Sequence, residues 1–215
     1  MIGDLMKHLP LIILLVLVVA ACNLTNKFKK TDATNSNSSS TSSSGNPSKI
    51  GDDPVEQPAP TAAQTAALAN GQSVKWDQQG ITWTLPANWK KQDVRNETLS
   101  YGGDGAFLIV NISTMGASFP ADVSIKAMHE GAKTEQKNGK YDEVKWLELG
   151  GVRGVEFRQS KQEMAGDIRR LEWQGYRTYA GQSQLITMIL STSDSAFPKH
   201  EDELYGIMYS TTVVH

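Results

Sequence analysis

Cysteine is nearly absent from this chain: Cys22 is the single one among 215 residues. Everything beyond it folds without a disulfide, and no thiol is left there to serve as nucleophile or metal ligand. Histidine is scarce as well. His8, His129, His200 and His215 form no His-x-His or His-x-x-x-His pair, so the usual spacing of a metal site is missing. No Gly-x-Ser-x-Gly elbow occurs, which removes a common frame for an activated serine. The chain also lacks a bias of charge. With 21 Lys and Arg against 23 Asp and Glu its formal net charge is −2, whereas a nucleic-acid surface calls for a basic excess.

Only one long apolar run is present. Leu9 to Ala21 carries no charge, yet it is shorter than the about 20 residues that cross a bilayer. A charged start, a short apolar core and small residues before a cut site describe an export signal. Asp4 interrupts the charged start, and reading from Met6 instead of Met1 gives a cleaner signal. The run ends in Val19-Ala20-Ala21-Cys22, which resembles the lipobox of bacterial lipoproteins. The resemblance implies a signal peptide over residues 1–21, cleavage between Ala21 and Cys22, and a diacylglyceryl thioether on the Cys22 sulfur. Acylation of the new amino terminus, with palmitate as the expected chain, follows in most such proteins. The alternatives are an ordinary secretory signal with a chance cysteine, or an uncleaved anchor. The coincidence of apolar core, small residues and cysteine favours the lipoprotein. One acyl chain anchors only marginally, but two or three hold firmly, at about 0.8 kcal/mol per buried methylene. The expected location is exported and lipid-anchored, on the periplasmic or cell-surface side of a bacterial membrane. In a Gram-negative host, Asn23 after the cysteine favours the outer membrane.

Residues 22–70 are rich in Ser, Thr, Asn, Pro and Ala and nearly free of bulky apolar side chains. Such a segment buries too little apolar area to offset its ordering entropy, so a disordered tether is expected. As a coil of this length it would span roughly 40 Å. Lys27, Lys29 and Lys30 lie near the anchor, where anionic head groups attract cations, although plain solvated charges account for them equally. "PTAAQTAALAN" carries a weak helical signal.

From 71 to 215 the composition becomes that of a globular domain holding all five tryptophans. Period-two alternation dominates. "GITWTLP" sets Ile81, Trp83 and Leu85 against Thr82 and Thr84. Hairpins are expected at "GGDG", at Gly150-Gly151 and at "AGQS". Two segments switch to helical period: one places Ile125, Met128 and Ala132 on one face, with Asp122 as cap and Gly139 as stop. The other groups Phe197, Leu204, Ile207 and Met208 behind Ser195 or Asp194. The expected class is α+β, sandwich-like, with a mainly antiparallel sheet of about six to seven strands and two main helices.

"GITWTLPANWKKQ", the Ala-Phe-Leu-Ile-Val strand, the helix, the "LGGVRGVEFRQS" hairpin and the closing amphipathic helix are similar to the Mog/PsbP-like fold. The exported branch with DcrB-type lipoproteins is nearest in layout. Pro86, Trp89, Gly151, Gly154 and Phe157 carry the likeness. The resemblance implies a domain that works by binding, since most members do no chemistry.

The residues themselves point the same way. His129 and His200 read as helix-surface histidines. Glu163, Asp167 and Glu172, among Lys161, Arg169 and Arg170, read as exposed ion pairs before they read as an acid–base pair. The most suggestive surface is Arg153, Arg158, Arg169, Arg170 and Arg177 with Trp173. Together these would make a patch for an acidic partner or phospholipid head groups, unless Glu156, Glu163 and Glu172 neutralise them. No metal, cofactor or nucleic acid is expected. The leading expectation is a non-catalytic, membrane-anchored interaction module with an envelope protein partner. The alternative is a carrier or sensor of a small apolar or lipidic ligand, and a hydrolytic enzyme comes last.

Overall fold

The computed structural model describes residues 54–215. The signal, the Ala21–Cys22 cleavage site and most of the tether lie outside the described residues. Alternating sequence becomes strand wherever it was expected. In chain order the elements are β1 (Val55–Glu56), α1 (Ala62–Ala67), β2 (Gln72–Trp76), β3 (Ile81–Leu85), β4 (Lys90–Val94), β5 (Thr98–Gly103) and β6 (Ala106–Thr114). They continue with α2 (Ala121–Lys137), β7 (Tyr141–Leu149), β8 (Val152–Gln159), β9 (Ile168–Tyr179), β10 (Gln182–Ser193), α3 (Phe197–Tyr209) and β11 (Thr212–Val213). Eight strands form one sheet in the order β1-β7-β8-β9-β10-β6-β5-β4, and β11-β3-β2 form a second. Every strand pairing is antiparallel except β1 with β7. The class is α+β, as expected, with the addition of the small second sheet.

Three hairpins turn through two residues with positive φ: Asp104-Gly105 (52°, 81°), Gly150-Gly151 (55°, 85°) and Ala180-Gly181 (50°, 77°). This is the turn whose twist matches that of the flanking strands. Ala180 occupies a left-handed position that an L side chain adopts reluctantly.

The inner face of the large sheet is lined by Leu147, Leu149, Val152, Leu171, Trp173, Ile186, Met188 and Leu190. They pack with Trp83 and Leu85 of the small sheet and with Phe197, Leu204, Ile207 and Met208 of α3 in one cluster. The Trp173 indole sits on Gly154 and Gly175, which face each other in register across β8 and β9. A Cβ at Gly175 would lie 2.6 Å from the Trp173 ring. A smaller cluster, Ile125 and Ala132 of α2 with Val55, Val144, Trp146, Val155 and Phe157, covers the outer face at the β7–β8 end.

The ordered fold starts upstream of residue 71. Val55 and Glu56 pair with Trp146 and Leu147, and α1 is fixed by a capping box. Gln64 N donates to Thr61 Oγ1 at 3.2 Å, and Thr61 N donates to Gln64 Oε1 at 2.9 Å. Gly206 of α3 lets α1 approach closely, because a Cβ there would lie 2.8 Å from the Gln64 carbonyl. Composition hides both contacts, because only Val55 and Leu68 supply bulky apolar surface.

Neither long helix starts as expected. Pro120 is the N-cap of α2, so Asp122 falls in its first turn; Ala196 caps α3 without a side-chain bond. Asp194 instead accepts the Gln162 amide at 2.9 Å. Gly139 does follow the end of α2, with φ of 84°.

Ala180→Gly should raise stability by about 0.5–1 kcal/mol by relieving the left-handed alanine. Gly175→Ala should lower it by at least about 2 kcal/mol through overpacking against the indole. Urea midpoints of the two variants, moving in opposite directions, check both.

Candidate functional site

The six residues singled out as a surface do not share one face. Alternation along β9 puts Arg169 and Arg177 on the side of Leu171 and Trp173, and the pairing of Arg158 with Leu171 adds Arg158 to that inner side. Arg153 and Arg170 point to the outer face. Trp173 is fully buried, with Nε1 donating to the Leu147 carbonyl at 3.0 Å, and is no contact residue. The other four tryptophans are buried too.

At one end of the sheet the arginines are consumed by carboxylates. A bulge in β7 between Tyr141 and Glu143 brings Asp142 between Arg158 and Arg169, at 2.7 Å from Arg158 Nε and 2.6 Å from Arg169 Nη2. Arg158 Nη1 also meets Glu201 of α3 at 2.6 Å and Glu143 at 3.5 Å. Arg169 lies over the Phe197 ring at 4.3 Å. The acids that pair with Arg158 and Arg169 are thus Asp142, Glu143 and Glu201; of the expected Glu156, Glu163 and Glu172, Glu156 pairs with Lys145 and Glu172 feels the charge of Arg170.

Beside them Lys145 is ringed by Glu56, Glu143 and Glu156 at 3.2, 3.2 and 3.6 Å, and its Nζ donates to Tyr209 Oη at 3.2 Å. Tyr205 Oη donates to Glu143 at 3.0 Å. Glu156 has no exposed surface, and neither of its oxygens has a hydrogen-bond partner. Burial pushes its carboxyl up to about 7 although Lys145 pulls the other way. Burial raises Glu143 too, but Lys145, Tyr205 and Arg158 outweigh it and hold that acid below its ordinary range. Burial and the neighbouring glutamates drive the Tyr205 hydroxyl far above the usual tyrosine value. This cluster borders a polar cleft of about 310 Å³ lined by Glu143, Lys145, Arg158, Glu201 and the two tyrosines. Glu156 does not line the cleft. It lies beneath Lys145 and fixes the ammonium in place.

At the opposite end the arrangement reverses. Arg153 and Arg177, with Ile125, Val152, Tyr176 and His215, line a half-open cleft of about 400 Å³ between the start of α2 and the β8–β9 strand ends. Arg177 is buried and donates only to neutral acceptors: Gln184 Oε1 at 3.0 Å, the Val214 carbonyl at 2.8 Å and Gln79 Oε1 at 3.1 Å. Its guanidinium lies over the Tyr179 ring at 4.2 Å. Arg153 Nε is buried without a hydrogen-bond partner.

The two helical histidines are core residues, not surface ones. His129 stacks on Trp146 at 4.4 Å, and buried His200 meets Glu203 at 3.2 Å. His129 follows Ile125 by four residues and precedes Ala132 by three, so it belonged to the apolar stripe all along. Among the described residues no group of three or more His, Cys, Asp or Glu is placed to hold a metal ion, and no helix is long and apolar enough to cross a membrane.

The described residues form an α+β domain of two sheets and three α-helices. No protein-family model matches the chain, and no curated protein does. Solved structures are similar to it at low identity. LpqN of Mycobacterium tuberculosis, described as involved in cell envelope biogenesis, is 13% identical over 67% of this chain and 91% of its own, with a TM-score of 0.48. Cyanobacterial PsbP (CyanoP) of Synechocystis sp. PCC 6803 is 14% identical over 67% and 92%, with a TM-score of 0.44. A protein of Bacteroides thetaiotaomicron is 9% identical with a TM-score of 0.45, and the match spans about half of that protein, 49%, for 67% of this one.

Glu156 sets a pH dependence whose sign is fixed. Its folded value of about 7 lies above the ordinary 4.5, so between those limits the folded state holds the proton more tightly. Stability from this group is full below about pH 4.5 and falls as pH rises through 7, by roughly 3 kcal/mol in all. Urea unfolding from pH 4 to 8, wild type against Glu156→Gln, should show that loss in the wild type and not in the variant.

Proposed function

We propose that the chain is an exported bacterial lipoprotein, held to the envelope by acyl chains on Cys22, whose folded domain works by binding and not by chemistry. Val19-Ala20-Ala21-Cys22 behind an uncharged apolar run supports the anchor. The observation that carries the binding reading is the division of the arginines. One end of the sheet neutralises its cations internally, while the other leaves Arg153 and Arg177 lining an open cleft. Unspent positive charge at a concave surface is what a partner or ligand can use. The most perturbed carboxyl, Glu156, lies out of reach of any substrate beneath Lys145, which favours a structural part for it.

Two kinds of occupant fit a tethered binding module. An envelope protein partner is the first. A small apolar or lipidic ligand is the second, favoured because Ile125, Val152 and Tyr176 also line the same cleft.

Cells fed an alkyne analogue of palmitate should label the wild-type chain and leave Cys22→Ala unlabelled and released from the membrane fraction. In-cell crosslinking of the two forms should then capture a membrane-proximal partner only with the anchored one. Label retained in Cys22→Ala would defeat the anchor.

A further inference from the structure

The 400 Å³ cleft carries more than a general binding role. Its lining combines the cations Arg153 and Arg177, together with His215, and the apolar Ile125, Val152 and Tyr176. The pleat brings Arg153 and Tyr176 to it from the outer face of the sheet and Val152 and Arg177 from the inner one. Asp122 is the only carboxylate side chain on its lining, and it stands exposed in the first turn of α2. Among the described residues, no carboxylate lies within ion-pair distance of Arg153 or Arg177, whereas Arg158 and Arg169 at the other end of the sheet each have one.

A buried guanidinium satisfied by neutral carbonyls still presents a full positive charge to whatever enters beside it, in a setting less screened than water. Burial lowers the Arg177 pKa from its ordinary value, which is the sign of a cation short of a counter-charge. Arg153 adds a second guanidinium to the lining, and its Nε has no hydrogen-bond partner. A planar fork of N–H groups matches carboxylate and phosphate oxygens. The apolar part of the lining includes Tyr176, whose ring tilts against Phe119 at 5.2 Å between centroids.

We propose that this cleft binds a small organic oxyanion, a carboxylate or phosphate monoester, with the anionic head on Arg153 and Arg177 and the apolar part against Ile125, Val152 and Tyr176. The proposal rests on the reading of the domain as a binding module and names the ligand chemistry of its site.

The test is titration calorimetry on the full chain in detergent with four probes: benzoate, phenyl phosphate, inorganic phosphate and uncharged benzamide. Benzoate or phenyl phosphate should bind at least tenfold more tightly than benzamide, and Arg153→Gln should abolish that preference. The Arg153 side chain makes no hydrogen bond or ion pair within the fold, so its variant should keep the wild-type melting temperature; Arg177→Lys provides a second check. Inorganic phosphate binding as well as phenyl phosphate would reduce the site to a free-oxyanion site and remove the apolar half of the proposal. Benzamide binding as well as benzoate, an unaltered Arg153→Gln, or no binding by any anion would overturn it. Partner capture by the anchored chain in cells would survive any of those failures, so the two readings fail separately.

Discussion

One buried indole organises the inner side of the large sheet. Trp173 extends from β9 over β8 to donate to Leu147 of β7, and lies opposite Met188 of β10 in register. Four neighbouring strands are thereby tied through a single side chain. The arrangement requires glycine at both 154 and 175, because a Cβ at either position would occupy the space of the ring. With the ring pressed against the backbone, the small sheet and α3 close over this face in one continuous cluster. Interiors packed this tightly tolerate little change of volume. This packing seats α3 on the sheet and so positions the charged groups that α3 contributes.

That position decides the electrostatics. α3 delivers Glu201, Tyr205 and Tyr209 to the β7–β8 end of the sheet, where Lys145, Glu143, Glu156 and Arg158 already face inward. Each charge there loses hydration, and the loss is tolerable only because opposite charges meet within 4 Å. The acids and cations form a closed set, with Glu156 sealed at its base. At the far end no helix acid comes within ion-pair distance of Arg177, and neutral carbonyls satisfy it instead. The same strand therefore carries one spent arginine and one unspent one. The difference lies in what packs over each.

Much of the fold was legible because alternation and turn chemistry act locally. The three hairpins fell where Asp-Gly, Gly-Gly and Ala-Gly pairs stood, and Trp83 was read as core from its spacing to Ile81 and Leu85. The missed elements are those held by distant contacts. β1 is two residues in a polar run, β4 is a polar edge strand, and β11 pairs with β3 from the far side of the sequence. The arginine patch failed for a similar reason. Sequence proximity grouped residues that the pleat divides between two faces, and the bulge that swings Asp142 into the arginines leaves no mark in composition. Alternation alone would have placed Arg169 and Arg177 with Leu171 and Trp173. That signal was present, and the charge of the side chains obscured it.

A half-open cleft with two guanidinium groups offers modest affinity. Hydrogen bonds to charged groups contribute about 1.5–3 kcal/mol each, and part of that is offset by displaced water and lost freedom of the ligand. Modest affinity suits a domain confined to a membrane surface. Confinement replaces a search through bulk volume with one through a thin layer, and a linker of suitable reach raises effective concentration to about millimolar. On the proposed reading the acyl anchor supplies the local concentration and the arginine cleft supplies the selectivity. The polar cluster at the other end spends its cations internally and offers none to that task. A domain that held all its arginines in ion pairs would be as firmly folded and would have nothing electrostatic left with which to choose a partner.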